Sequence, residues 1–75
     1  MDFSTNLKNY RLMTNRTQRE MAEFLGISER GYRNYEIGAR EPNLSSLIQI
    51  ADILEVSLDD LVGRSFSKNP LVDSK

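Results

Sequence analysis

The stretch TQREMAEFLGISERGYRNYEIG, residues 17–38, decides the fold. It contains two helical patterns separated by Gly26-Ile27-Ser28. Thr17 is followed three residues later by Glu20, the reciprocal pattern that opens a helix. Met21, Ala22, Phe24 and Leu25 then supply an apolar stripe, and Gly26 closes it. Ser28 opens the next helix, with Tyr32 and Tyr35, and at the margin Glu36, on one face. Helices joined by so few residues cross steeply, and the small residues Ala22 and Gly26 stand where such a crossing needs room. With the tyrosines turned inward, Glu29, Arg30, Arg33, Asn34 and Ile37 are left facing out.

Working outward, Ser4 or Thr5 is placed to cap a first helix whose apolar positions Leu7, Tyr10 and Met13 fall three apart. Thr14-Asn15-Arg16 breaks it, since Asn tolerates the left-handed conformation that ends many helices. Residues 38–43 read as a loop closed by Pro42. The segment LSSLIQIADILE, residues 44–55, carries Leu44, Leu47, Ile48, Ala51 and Leu54 at amphipathic spacing. Ser57 caps a short fifth helix with Leu58, Leu61 and Val62 apolar and Gly63 after its end. Nothing alternates like a strand. The expectation is an all-α, compact five-helix bundle over residues 1–63, followed by a polar tail, RSFSKNPLVDSK, at 64–75.

Seventy-five residues fit one domain with a modest core and no deep cleft. Cysteine and histidine are both absent, which removes disulfides, thiolate chemistry, zinc fingers and the usual proton shuttle. No cofactor, metal or small-molecule ligand is expected. The N-terminus lacks the charged and apolar regions of a signal peptide, and no apolar run reaches membrane-spanning length. A soluble, cytoplasmic protein without a membrane partner is therefore expected. Net charge is −1, but it is unevenly spread. Residues 1–40 hold seven basic against five acidic side chains, whereas residues 41–63 hold five acids and no base. Such a chain can present one electropositive face while remaining acidic as a whole. Ordinary solvated surface explains the charge pattern equally well on its own.

The outward cluster changes that balance. In a helix-turn-helix, the N-terminal part of the second helix enters the DNA major groove. Arg pairs bidentately with guanine and Asn with adenine, and Glu accepts from the cytosine amino group. Arg30 and Asn34 are thus the base-reading candidates. Glu29 is weighed equally as a base reader and as a favourable acid at a helix start. Arg33 is divided between phosphate contact and plain solvation. The helix starts at Thr17-Gln18 and Ser28 offer backbone N–H groups to phosphates, and Arg40 follows in the loop.

These residues bear a family likeness. Leu7, Arg11, Thr17-Gln18, Met21-Ala22, Leu25-Gly26-Ile27-Ser28, Glu36-Ile37-Gly38, Pro42, Leu47, Ala51, Leu54 and the closing VSLDDLVG resemble the Cro/phage-repressor (XRE-like) helix-turn-helix pattern, in order and at compatible spacing. The resemblance implies a lambda-repressor-like domain of bacterial or phage type. It also implies DNA contacts from Gln18, Ser28, Glu29, Arg30, Asn34 and Arg40, and an interior ion pair between Arg11 and Glu36. Arg16 departs from the pattern, standing where the family usually has an aliphatic residue. Gly31 sits inside the second helix at a cost of about 1 kcal/mol relative to Ala, either as room for a close approach to DNA or to Ala22 or as a residue simply tolerated there.

Three functions follow for comparison. The first is a sequence-specific transcriptional regulator, a repressor binding a pseudo-palindromic duplex operator as a homodimer. Its candidate dimer surfaces are the acidic C-terminal half and the apolar tail residues Phe66, Leu71 and Val72. The second is a protein-interaction adaptor of the same fold, favoured by low net charge and opposed by Arg30, Asn34 and Arg40 together. The third, an enzyme, is rejected: Asp59 and Asp60 sit at a helix start, where the dipole accounts for them.

Overall fold

Four of the five helices begin at a side chain suited to capping them. The computed structural model describes residues 3–63, which run through α1 (Phe3–Met13), α2 (Gln18–Leu25), α3 (Glu29–Ile37), α4 (Leu44–Leu54) and α5 (Leu58–Val62). The Thr17 hydroxyl accepts from Glu20 N at 3.0 Å, and the Glu20 carboxylate accepts from Thr17 N at 2.8 Å, so the capping box is complete. Ser28, Asn43 and Ser57 cap α3, α4 and α5 in the same way, each accepting the amide three residues on. Gly26 closes α2 at φ +70°, in the left-handed region where a residue without a Cβ is at ease. Among the described residues there is no strand, and no helix is long and apolar enough to cross a membrane.

α1 packs on α3 and α5, α2 packs on α3 and α4, and α4 meets α5. The shared core holds Leu7, Met21, Ala22, Tyr32, Ile50, Ala51, Leu54 and Leu61. Asn6 is buried as well, and its side-chain amide donates to the Leu61 carbonyl at 3.2 Å. That bond ties α1 to α5 and satisfies a polar group that burial would otherwise penalise.

Several expectations are corrected. α1 starts at Phe3, so Ser4 and Thr5 lie inside it. Met13 is 74% exposed, because six residues beyond Leu7 the helix has turned it about 120° from the buried side. Phe24 is 56% exposed and lies under the Arg16 guanidinium, whose carbon is 5.2 Å from the ring centre. In α4 the buried set is Ile50, Ala51 and Leu54, whereas Leu44 and Ile48 face solvent. α4 also stops one residue early: Glu55 adopts φ +58° and donates its N–H to the carbonyls of Ala51 and Asp52. Leu58 is partly exposed. The tail at 64–75, with Phe66, Leu71 and Val72, lies outside the described residues.

Candidate nucleic-acid interface

α2, the turn at residues 26–28 and α3 form the helix-turn-helix, and α1 holds it from behind. The clamp is an ion pair between Arg11 and Glu36, with Nε to Oε2 at 2.6 Å and a second bond from the other end of the guanidinium to Oε1 at 3.2 Å. Both side chains are almost wholly buried. Arg11 also donates to the Arg16 carbonyl at 2.8 Å, so one side chain ties α1 to the end of α3 and to the approach to α2. Burial acts most strongly on the Glu36 carboxyl and pushes its pKa up. Hydrogen bonds from Arg11 and Gln18, with the nearby Tyr32 hydroxyl, outweigh it, so the net pKa is lowered and the carboxylate stays ionised. The Tyr32 hydroxyl acts on that charge from close by, although it is buried without a hydrogen-bond partner of standard geometry. Its own pKa is pushed up, by burial first and by Glu36 second. Arg11 is raised through its bond to Glu36.

Gln18 connects this buried pair to the surface. Its Nε2 donates to Glu36 Oε1 at 3.1 Å, and its Oε1 accepts from Arg33 Nε at 3.5 Å. Arg33 also approaches Glu29 one helical turn back, at 3.5 Å, with both side chains about half exposed. The outward cluster is therefore partly self-neutralising: Arg33 shields Glu29, whose charge would otherwise face the same way as Arg30. Arg30 and Arg40 form no ion pair with any described residue, and both are exposed. Asn34 is half-buried. With Ile27, Gly31, Tyr35 and Arg40 it lines a half-open hollow of about 240 Å³ beside α3. Thr17 and Ser28 use an oxygen lone pair for capping and keep a hydroxyl proton to donate outward.

Sequence reasoning placed Glu29, Arg30, Arg33 and Ile37 on the exposed face of α3, which is where they lie. Two features had no signal strong enough to find. Gln18 is held from inside by Glu36 as well as facing out, and nothing in its spacing distinguishes that from plain surface. Arg16 turns back across the α2–α4 seam and donates to the Ile53 carbonyl at 3.4 Å, with its Nε buried and unpaired. Of the alternatives for Gly31, close approach to Ala22 is not what the structure shows, because a Cβ there would meet Ser28 Oγ at 3.2 Å and Ile27 Cδ1 at 3.9 Å. Among the described residues no group of three or more acidic, His or Cys side chains is gathered in a way that could hold a metal ion.

The surface is thus a pair of capped helix starts, two unpaired arginines and a half-buried Asn, all held by a buried ion pair. A helix-turn-helix family model matches residues 7–61. The chain is 44% identical over 64 residues to the cryptic phage CTXphi transcriptional repressor RstR of Vibrio cholerae, covering 85% of this chain and 57% of that one. It is 50% identical over 60 residues to the HTH-type transcriptional regulator YqaE of Bacillus subtilis, covering 80% of this chain and 52% of that one. A solved transcriptional regulator from Listeria innocua superposes with a TM-score of 0.78 at 28% identity, covering 84% of this chain and 59% of that one. The chain spans about half the length of the curated relatives it matches.

Proposed function

We propose, on the premise that this chain belongs to the helix-turn-helix family, that it is a sequence-specific double-stranded DNA-binding transcriptional regulator. In this reading residues 1–63 form the DNA-binding domain of a cytoplasmic repressor that occupies a pseudo-palindromic operator as a homodimer. Its role is binding, with no catalytic step. The observation that carries the reading is the exposed start of α3, where unpaired Arg30 and half-buried Asn34 stand on a helix fixed from behind by Arg11 and Glu36.

The roles divide by chemistry. Arg30 reads guanine and Asn34 reads adenine, each discriminating by about 1–3 kcal/mol against a wrong base. Glu29, paired with Arg33 at 3.5 Å, either accepts from a cytosine amino group or serves only as an acid at the helix start. Thr17, Gln18 and Ser28 donate to phosphates from the two helix starts, and Arg40 and Arg33 supply cationic contacts that set register more than sequence. The Gln18 amide gives one proton to Glu36 and retains a second for a phosphate oxygen.

Selection from a random duplex library at near-physiological salt, followed by sequencing of the retained DNA, tests the reading. An enriched inverted repeat is expected, with Arg30→Ala and Asn34→Ala each blurring one half-site position. Absence of any enriched sequence, with binding lost at modest salt, would overturn it in favour of the adaptor reading.

A further inference from the structure

Gly31 occupies a position where neither the backbone nor the packing calls for a glycine. It stands inside α3, where glycine is the least favourable residue after proline. Its backbone lies outside the left-handed region that Gly26, Gly38 and Gly63 occupy, so any residue could adopt it. A Cβ there would meet Ser28 Oγ at 3.2 Å and Ile27 Cδ1 at 3.9 Å, with nothing else beyond its own stretch of helix within 4 Å. A small shift of that hydroxyl would accommodate it. What the glycine does provide is room on the outer side of α3.

That room opens into the half-open hollow of about 240 Å³ that Gly31 lines with Ile27, Asn34, Tyr35 and Arg40. The hollow is smaller than the roughly 300–1,000 Å³ of a small-molecule pocket, so it suits the edge of a larger body. Its chemistry is divided. Ile27 and Tyr35 give apolar walls, Gly31 gives bare backbone, and Asn34 supplies a donor and an acceptor. Tyr35 is held edge-on by Tyr32, with ring centres 6.3 Å apart, so its wall is in place before DNA arrives. Among the described residues no carboxylate lines the hollow, and the exposed Arg40 stands at its rim without an ion pair.

We infer that this hollow receives the C5-methyl group of a thymine, next to the adenine that Asn34 reads, and that Gly31 determines specificity by leaving the space the methyl fills. The inference deepens the operator-binding reading above and rests on it. The thymine methyl is the apolar group that base pairs present in the major groove. Ile27, Gly31 and Tyr35 are the apolar surface beside Asn34. Cytosine carries a hydrogen at the same carbon and would leave the hollow unfilled. A phosphate in the hollow would suit Arg40 but would set an anion against Ile27 and Tyr35. Arg40 at the rim instead meets a phosphate flanking the base, which fixes the position of the edge without selecting it.

Fluorescence anisotropy on the selected duplex, with each thymidine of one half-site replaced in turn by deoxyuridine, reads the methyl groups singly. In the parent chain the replacement beside the adenine read by Asn34 is expected to weaken binding about fourfold, the worth of one buried carbon. Gly31→Ala puts a protein methyl group into the same space. The variant is expected to bind the thymine duplex at least about fivefold more weakly, the effect of overfilling a packed contact. It should also bind that deoxyuridine duplex better than the thymine one, reversing the parent's preference, with a circular dichroism spectrum like the parent's. A parent chain indifferent to every replacement beside the adenine overturns the inference, and this series needs no variant to fold. A variant that keeps the parent's preference for the methyl, or loses affinity equally on every duplex, also overturns it and puts the DNA backbone at the hollow. If selection enriches no duplex, the operator-binding reading falls and takes this inference with it, whereas an enriched duplex indifferent to the methyl strikes the inference alone.

Discussion

Replacing Arg11 with Met removes the guanidinium while keeping much of the side-chain volume, and it isolates the contribution of the buried clamp. The parent pair has a 2.6 Å bond between side chains that are only 9% and 2% exposed. Removing one partner of such a pair strands the other charge and costs about 3–5 kcal/mol. A 75-residue chain has a total stability on the order of 4–11 kcal/mol, so the loss is a large part of the whole. In thermal terms it corresponds to a fall of roughly 12–40 °C in Tm. The pH dependence gives the prediction its sign. In the parent, Glu36 is held below its ordinary value near 4.5. Its stabilising contribution is therefore complete above that value and fades as acid protonates the folded carboxylate. In Arg11→Met burial acts with only Gln18 and Tyr32 against it, so Glu36 rises above the ordinary value. The variant then loses stability as pH increases through the raised pKa. The gap between parent and variant is widest near pH 7 and closes toward pH 4. Urea denaturation followed by circular dichroism at both pH values measures it. A cost below about 1 kcal/mol at pH 7, or a gap that does not narrow in acid, would refute the reasoning. The double variant Arg11→Met/Glu36→Leu, which strands no charge, should recover most of the loss.

Three further outcomes follow from the same contacts. Glu55→Gly relieves a non-glycine residue at φ +58° and should leave stability unchanged or raise it by up to about 1 kcal/mol in denaturant melts; a loss would mean that Glu55 makes a contact its exposure does not suggest. Gly31→Ala gains about 1 kcal/mol of helix propensity but crowds Ser28 Oγ, the capping oxygen, at 3.2 Å, so the two effects nearly cancel and Tm should hardly move. Arg16→Met exchanges a ring contact with Phe24 and a long bond to Ile53 for the removal of a buried unpaired Nε, and a change within about 1 kcal/mol is expected.

What the sequence made legible was local chemistry. Thr17, Ser28 and Ser57 are caps because a short side-chain oxygen next to a helix start has few better uses. Gly26 and Gly63 close helices for an equally local reason, and Gly38, read only as the start of a loop, closes α3 in the same left-handed conformation. α4 was different. Leu44, Leu47, Ile48, Ile50, Ile53 and Leu54 are more apolar residues than one face of a helix can bury, so spacing alone admitted more than one register. Packing against α2 and α5 selected Ile50 over Leu44 and Ile48. Asn6 was invisible for the opposite reason. A polar residue is buried only because a particular carbonyl, that of Leu61, waits 55 residues away, and no window along the chain contains both.

The same distinction separates the two halves of the candidate site. Arg30 could be placed on the exposed face from sequence because exposure on a helix face follows from periodicity, whereas Asn34, expected there too, is half-buried beside Tyr35 and Arg40. Whether such a face can discriminate bases depends on how firmly it is held, and that is a tertiary property. Here the holding runs continuously: the Arg16 carbonyl accepts from Arg11, Arg11 grips Glu36, Glu36 accepts from Gln18, and Gln18 meets Arg33, which in turn shields Glu29. From the ion pair outward the bonds lengthen, from 2.6 Å between Arg11 and Glu36 to 3.1 Å at Gln18 and 3.5 Å at Arg33. The inner links set the position of α3, and the outer ones leave Arg33 and Glu29 able to exchange partners. A long, half-exposed pair contributes little stability in water, so under the proposed DNA-binding reading its exchange for other partners costs correspondingly little. The rigid part of the site is consequently the helix, and the adjustable part is the pair of opposite charges at its outer rim.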